Sequence, residues 1–268
     1  MLDVYAVITE VDDAIVDQVA RVLEQNAADP QLRAMIDLYL ADLDVRKDSR
    51  VLEIGCGTGV ISRVLARWPG VAGVLGLDPS PGLVARAREL SEGFPNLTFQ
   101  VADGRAVPIV DGVFDAVVLH RVLSHVPGPD RVLAEAFRLL CPGGRLAVFD
   151  GDYSTVTVAV GAGDPLQACV SAFQEGYVHD PWIVRRLSRL TVHAGFVGQQ
   201  VRSHGYVQIE EPEYLLSIVD RGADALRASG MIRAPLADAL KAEARVRVDE
   251  NAFFGHVAYA SLTAGRPG

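Results

Sequence analysis

The chain has 268 residues, 50% of them hydrophobic, which is enough for one large domain or a domain with an appendage. Lys and Arg number 25 against 34 Asp and Glu; the net charge of −9 argues against a nucleic-acid-binding surface and against acidic polymers as substrates. Cys56, Cys141 and Cys169 are far apart, lack metal-ligand spacing and fit a reducing cytoplasm, the acidic N-terminus does not read as a signal peptide, and no apolar stretch is long enough to span a membrane.

In chain order, Ile15, Val16, Val19, Val22 and Leu23 recur at helical spacing over 12–26. Asp29 and Pro30 then read as the N-cap and first-turn proline of a second helix, with Leu32, Met35, Ile36, Tyr39 and Leu40 on one face. From 50 to 150 strands and helices alternate, the pattern of a parallel sheet covered on both faces. Strands are expected at 50–54, 71–77, 97–101, 114–119 and 145–149, and helices at about 59–68, 81–92 and 129–140.

The first of these strands runs into Gly55, Gly57 and Gly59, and a helix restarts at Val60. Glycines there let a ligand lie on the backbone, and a helix start leaves N–H groups unpaired. Asp78, Asp103, His120 and Asp150 fall at four successive strand ends, the edge where open parallel sheets bind ligands. Asp78 lies about 20 residues beyond the glycines, the offset of an acid that accepts from ribose hydroxyls.

Beyond 150 the alternation breaks. Residues 151–163 read as a loop with a short extended segment. Helices are expected from Asp164 to about Tyr177, from Asp180 to about Ala194, over 212–227 and over 235–248, with strands at 196–209 and 253–263. The helical insertion between those two strands is too long for a plain connection. Residues 151–194 and 211–250 therefore read as a substrate-covering cap or, from the same features, a homodimer surface. Residues 195–210 and 251–264 read as the last two strands of the core.

Four motifs together resemble class I S-adenosylmethionine (SAM)-dependent methyltransferases, the small-molecule branch similar to quinone-biosynthesis enzymes. They are E-x-G-x-G-x-G at Glu53–Gly59, Gly76 to Ser80, Val101 to Gly104, and Phe114 to Val126 with Leu140 to Gly144. G-x-G-x-x-G, the dinucleotide fingerprint, is not matched, because the third glycine comes one residue early. The resemblance implies an α/β, Rossmann-like, doubly wound, seven-stranded and mostly parallel sheet, with 49–150 as the SAM-binding core. It also implies that the N-terminal helices of 1–48 lie over the cofactor as a lid; simple packing on the sheet would use the same apolar stripes.

By the same resemblance, Gly55, Cys56, Gly57, Thr58 and Gly59 hold the methionine end and Glu53 supports its amine. Asp78, with Pro79, takes the ribose, Asp103 and the Gly104 backbone take the adenine, and His120 lies beside the sulfonium. Methyl transfer from an activated cation needs a positioned acceptor and, for a hydroxyl or an enolisable carbon, a base. His120 is the best placed by sequence, with Asp152 as a helper; His125 reads as a helix-end feature. Phe173, Tyr177, Trp182, Tyr214, Phe253 and Phe254 are either pocket walls or ordinary core. The expected activity is transfer of a methyl group to O or C of a small apolar or aromatic metabolite. The alternatives are a SAM-dependent reaction without methyl transfer and an NAD-dependent oxidoreductase.

Overall fold

Strand β1 (Ser49–Ile54) is buried along nearly all its length, as a strand covered on both faces must be. In the computed structural model, which describes residues 3–268, β1 lies inside one seven-stranded sheet. The other strands are β2 (Val71–Asp78), β3 (Leu97–Val101), β4 (Phe114–His120), β5 (Leu140–Thr157), β6 (Val197–Gln208) and β7 (Gly255–Gly265). Their order is β3-β2-β1-β4-β5-β7-β6. The first five run parallel, and β7 is antiparallel to both β5 and β6. The strand order reverses between β2 and β4, either side of β1, which places a crevice at the C-terminal end of β1. This is the Rossmann-like sheet the motifs imply.

Successive residues of β1 point to opposite faces. Val51 joins a core with α2 (Pro30–Asp42), α3 (Val60–Ala66) and α4 (Pro81–Leu90). Leu52 and Ile54 join a second core with α5 (Pro129–Leu139) and α7 (Leu187–His193). The first core continues into three further helices, α6 (Leu166–Tyr177), α8 (Glu213–Ala228) and α9 (Ala234–Asp249), through Phe173, Leu215, Ile218 and Leu240.

Two stretches differ from the sequence reading. The short extended segment expected within 151–163 is residues 151–157, and it is not separate: β5 runs on to Thr157, because β7 offers it a partner as far as His256. The stretch after Asp180 is a 3-10 turn (Ile183–Arg186) followed by the short α7, not one helix from Asp180. Ile183 and Leu187 pack with α5 on the sheet face away from α6 and α8, so this part of 151–194 covers sheet rather than the crevice. Among the described residues, no helix is long and apolar enough to cross a membrane.

Candidate active site

The glycine corner is tied down from below. Gly55 and Cys56 donate N–H to the Leu77 carbonyl at 2.7 and 2.9 Å, and Gly59 donates to Cys56 at 2.8 Å. Gly57 donates to Asp78 Oδ2 at 2.9 Å, while Asp78 Oδ1 accepts from Ser80 N at 2.9 Å. Gly55, Gly57 and Gly59 all have positive φ, which only glycine adopts freely. Four of the five N–H groups expected to be open to a ligand are therefore spent inside the protein. Thr58 N is the one of the five with neither a backbone nor a side-chain acceptor among the described residues. Asp78 consequently has two tasks: it holds the corner in shape and presents its remaining lone pairs to the crevice.

Helix α1 (Asp13–Ala28) lies across this corner. A Cβ on Gly57 would come within 2.9 Å of Leu23 Cδ1. Glu24 accepts from the Thr58 hydroxyl at 2.6 Å and from Arg63 Nη2 at 2.8 Å. Val22, Leu23 and Asn26 of α1 and Leu32 and Ile36 of α2 form one wall of the crevice.

The crevice has two parts. The first is lined by Asp78, Pro79, Ala102, Asp103, Gly104 and Arg105. The second, of about 130 Å³, is lined by Glu53, Cys56, Gly57 and Thr58 on one side and by aromatic residues of α6 and α8 on the other. Gly55, Tyr5, Arg121 and His125 line both parts, so the two meet at the C-terminal end of β1.

Glu53 is buried and accepts from the Ser62 hydroxyl. Loss of water pushes its carboxyl up to about 8; the Ser62 hydrogen bond only partly offsets this. Asp78 is likewise pushed up by burial, against the two backbone N–H bonds it accepts. Asp103 is exposed and paired with Arg105 at 2.7 Å, and the hydrogen bonds from Arg105 hold its carboxyl below the usual range.

His120 lines the second part of the crevice. Its ring stacks on Phe149 at 4.9 Å and its Nδ1 lies 3.1 Å from the Tyr39 hydroxyl. Burial, reinforced by the neighbouring Arg121 charge, pushes it down to about 3. Such an imidazole is neutral and a poor proton acceptor. Asp152 is not brought to the crevice: its oxygens accept from Arg185 Nε at 2.9 Å and from the Ser154 hydroxyl at 2.5 Å. The carboxylate is held by these neighbours on β5 and the 3-10 turn. Phe173, Tyr177 and Tyr214 do line the chamber, Phe253 is buried core, and Trp182 is exposed with Arg185 over its ring.

Sequence reasoning set His125 aside as a helix-end feature and passed over Arg121 and Arg221, together with Asp3 and Tyr5. His125 Nδ1 lies 2.7 Å from Asp3 Oδ2, and its ring packs 4.7 Å from Tyr5. Arg121 turns into the crevice from a backbone with φ 57, uncommon for a side-chain-bearing residue. Arg221 reaches the same chamber from α8. The one signal for Arg121 was its place directly after His120 at a strand end; Tyr5, Asp3 and Arg221 gave none.

A glycine corner with acids at the ends of β1 and β2 and beyond β3 gives this Rossmann-like domain a crevice at the switch point, with acceptors suited to an amine and a diol. Residues 52–148 match the family described as methyltransferase domain. This core is a class I SAM-dependent methyltransferase domain, and S-adenosyl-L-methionine is its cofactor. An uncharacterised transposon-encoded protein of Streptomyces fradiae is 33% identical over 186 residues, 69% of this chain and 54% of its own length. A 2-phytyl-1,4-naphtoquinone methyltransferase of Thermosynechococcus vestitus is 32% identical over 143 residues, 53% of this chain and 58% of that one. A methyltransferase-like structure from Bacillus halodurans superposes with a TM-score of 0.63 at 18% identity, over 87% of this chain and 99% of its own. The chain thus spans a little over half the length of these two sequence relatives.

The side chains suit the cofactor. Asp78 is buried in the wall with acceptor capacity left for a diol. Glu53 is a buried acid on the other side of the corner, where an ammonium group would restore its charge.

Proposed function

We propose that this protein transfers the methyl group of SAM to an oxygen or carbon of a small acceptor, apolar or aromatic in body, seated in the aromatic chamber. The observation that carries the reading is the continuity of the crevice, from the acids Asp78 and Asp103, past Gly55, to the rings of Tyr153, Phe173, Tyr177 and Tyr214. A cofactor lying on the corner would direct its sulfonium toward that chamber, and when bound it supplies an activated methyl cation equivalent. Glu53 and Thr58 would hold its methionine end, Asp78 its ribose, and Asp103 with Gly104 its adenine.

The chain's own work is to seat the acceptor, exclude water and take a proton where one must leave. α1 and α2 close one side of the crevice and α6 and α8 the other. His125 is the better base. The Asp3 carboxylate can only accept, so it fixes the proton on Nδ1 and leaves Nε2 as the acceptor nitrogen. His120 serves as a neutral wall beside the reacting centre. The three cysteines are free, which fits a reducing cytoplasm.

Titration with S-adenosylhomocysteine (SAH) and with NAD, followed by mass analysis of products from a panel of small acceptors with SAM, tests the reading. SAH binding and a product heavier by one CH2 are expected. NAD binding in place of SAH, or a product rearranged without gain of CH2, would reject it.

A further inference from the structure

Two guanidinium groups line the chamber, and among the described residues neither has a carboxylate partner. Arg121 donates from Nη2 to the hydroxyls of Tyr153 at 3.2 Å and Tyr214 at 3.5 Å, and lies 5.7 and 5.8 Å from the ring centres of Tyr214 and Tyr259. Arg221 donates to the Ser217 carbonyl and hydroxyl, each at 3.2 Å, and sits 4.6 Å above Phe173 and 5.7 Å above Tyr177. Nε and Nη1 of Arg121, and Nη1 of Arg221, have no recorded acceptor among the described residues. Both side chains are partly exposed, and both line the chamber.

The acids nearby do not neutralise them. Glu53 is turned to Ser62, and Asp3 is engaged by the His125 ring and by His179 N. Asp150 is buried and accepts from the N–H groups of Ser124 and Gly151. The tyrosines offer ring faces and hydroxyl lone pairs, which solvate a guanidinium but leave its charge in place. Gathering two guanidinium charges in one partly dehydrated chamber costs free energy through lost hydration and mutual repulsion, and a bound anion relieves both. The φ of 57 at Arg121 adds strain, and such strain collects at ligand clamps.

We infer that Arg121 and Arg221 form a clamp for an oxyanion, so that the acceptor is a small acid carrying a carboxylate or phosphate on an apolar or aromatic body. The planar, forked donors suit either group, and the stacked rings hold each fork in place. The inference deepens the methyl-transfer reading, which supplies the word acceptor; the clamp itself can be measured without turnover. It also narrows the acceptor beyond the apolar or aromatic metabolite expected from sequence, because the sequence did not show where these two arginines point.

Calorimetry with benzoate, phenyl phosphate and the neutral isostere benzamide, on the full chain with and without saturating SAH, tests it. Benzoate or phenyl phosphate should bind at least ten-fold tighter than benzamide, and whichever binds tighter identifies the group. Arg221→Met and Arg121→Met should each remove most of that preference, and Arg221→Lys should keep part of it. Arg221→Met should leave SAH affinity within about three-fold. Equal binding of benzamide and both anions, or no binding of either anion, overturns the clamp, and this comparison needs only the wild-type chain. It is overturned as well if both Met variants keep the preference and lose SAH affinity, since the guanidiniums would then serve the cofactor. Failure of SAH to bind the wild-type chain, with the anion preference intact, rejects the methyltransferase reading and leaves the clamp standing.

Discussion

At the scale of single residues, Glu53 makes the sharpest demand on experiment. Its carboxyl is pushed up to about 8 by burial, so near neutral pH the ligand-free protein carries a proton there. An ammonium group beside it favours the ionised form, so binding of the methionine end expels that proton. Affinity for SAH should therefore climb as pH rises from about 6 to 8, by at most about ten-fold per pH unit, and level off above 8. Glu53→Gln should flatten the profile, and an unchanged profile in that variant would separate Glu53 from the amine. The same raised value works against stability: the unfolded chain loses this proton near 4.5, so Glu53 erodes stability as pH climbs from there through 8. The family resemblance pointed to Glu53, and spacing to Asp78 and the glycines, because a nucleoside-binding turn constrains residue type at fixed offsets. It could not disclose Arg121, whose orientation depends on a left-handed backbone at a position without glycine. Nor could it show that Asp78 holds Gly57 as well as lining the crevice.

At the scale of elements, helix α1 acts as a strap across the glycine corner. Periodicity revealed the helix; its contact with a loop some 30 residues further on has no local signature. Leu23 against Gly57 and Glu24 against Thr58 and Arg63 fasten its C-terminal half to the corner, while Val16, Val19 and Ala20 pack with Leu83 of α4. Glu24 and Arg63 keep some exposure, so their pairing with the hydroxyl is worth on the order of 1 kcal/mol. Glu24→Ala should raise the release rate of SAH several-fold in stopped-flow measurements and speed amide exchange in α1, leaving the sheet amides protected. A release rate equal to wild type would show that α1 is a fixed wall. The sequence reading left β5 too short, and its extension as a separate segment, for a related reason. Tyr153, Thr155, Val156 and Thr157 favour a strand, but Gly151 and Asp152 interrupt the local pattern, and the pairing that carries β5 across them comes from β7, about 100 residues later.

For the whole molecule, the question is whether the helices α6, α8 and α9 form a separable cap. The side chains say otherwise. Val51, Val118 and Phe149 of the sheet share one buried cluster with Phe173 of α6, Ile218 of α8 and Leu240 of α9. α6 and α8 also touch backbone to backbone: a Cβ on Gly222 would lie 1.8 Å from the Cys169 carbonyl oxygen, so the helices must part to admit it. Overpacking of that kind costs about 1–3 kcal/mol, and at this chain length each kcal/mol moves the melting temperature by roughly 2–4 °C. Gly222→Ala should thus lower Tm by several degrees while the calorimetric trace keeps a single peak, because the cluster that holds the cap is also the sheet's own core. Splitting of that peak, with an early transition that leaves SAH binding intact, would mean that the cap unfolds alone and that the chamber walls are less firmly joined to the cofactor crevice than the shared cluster implies.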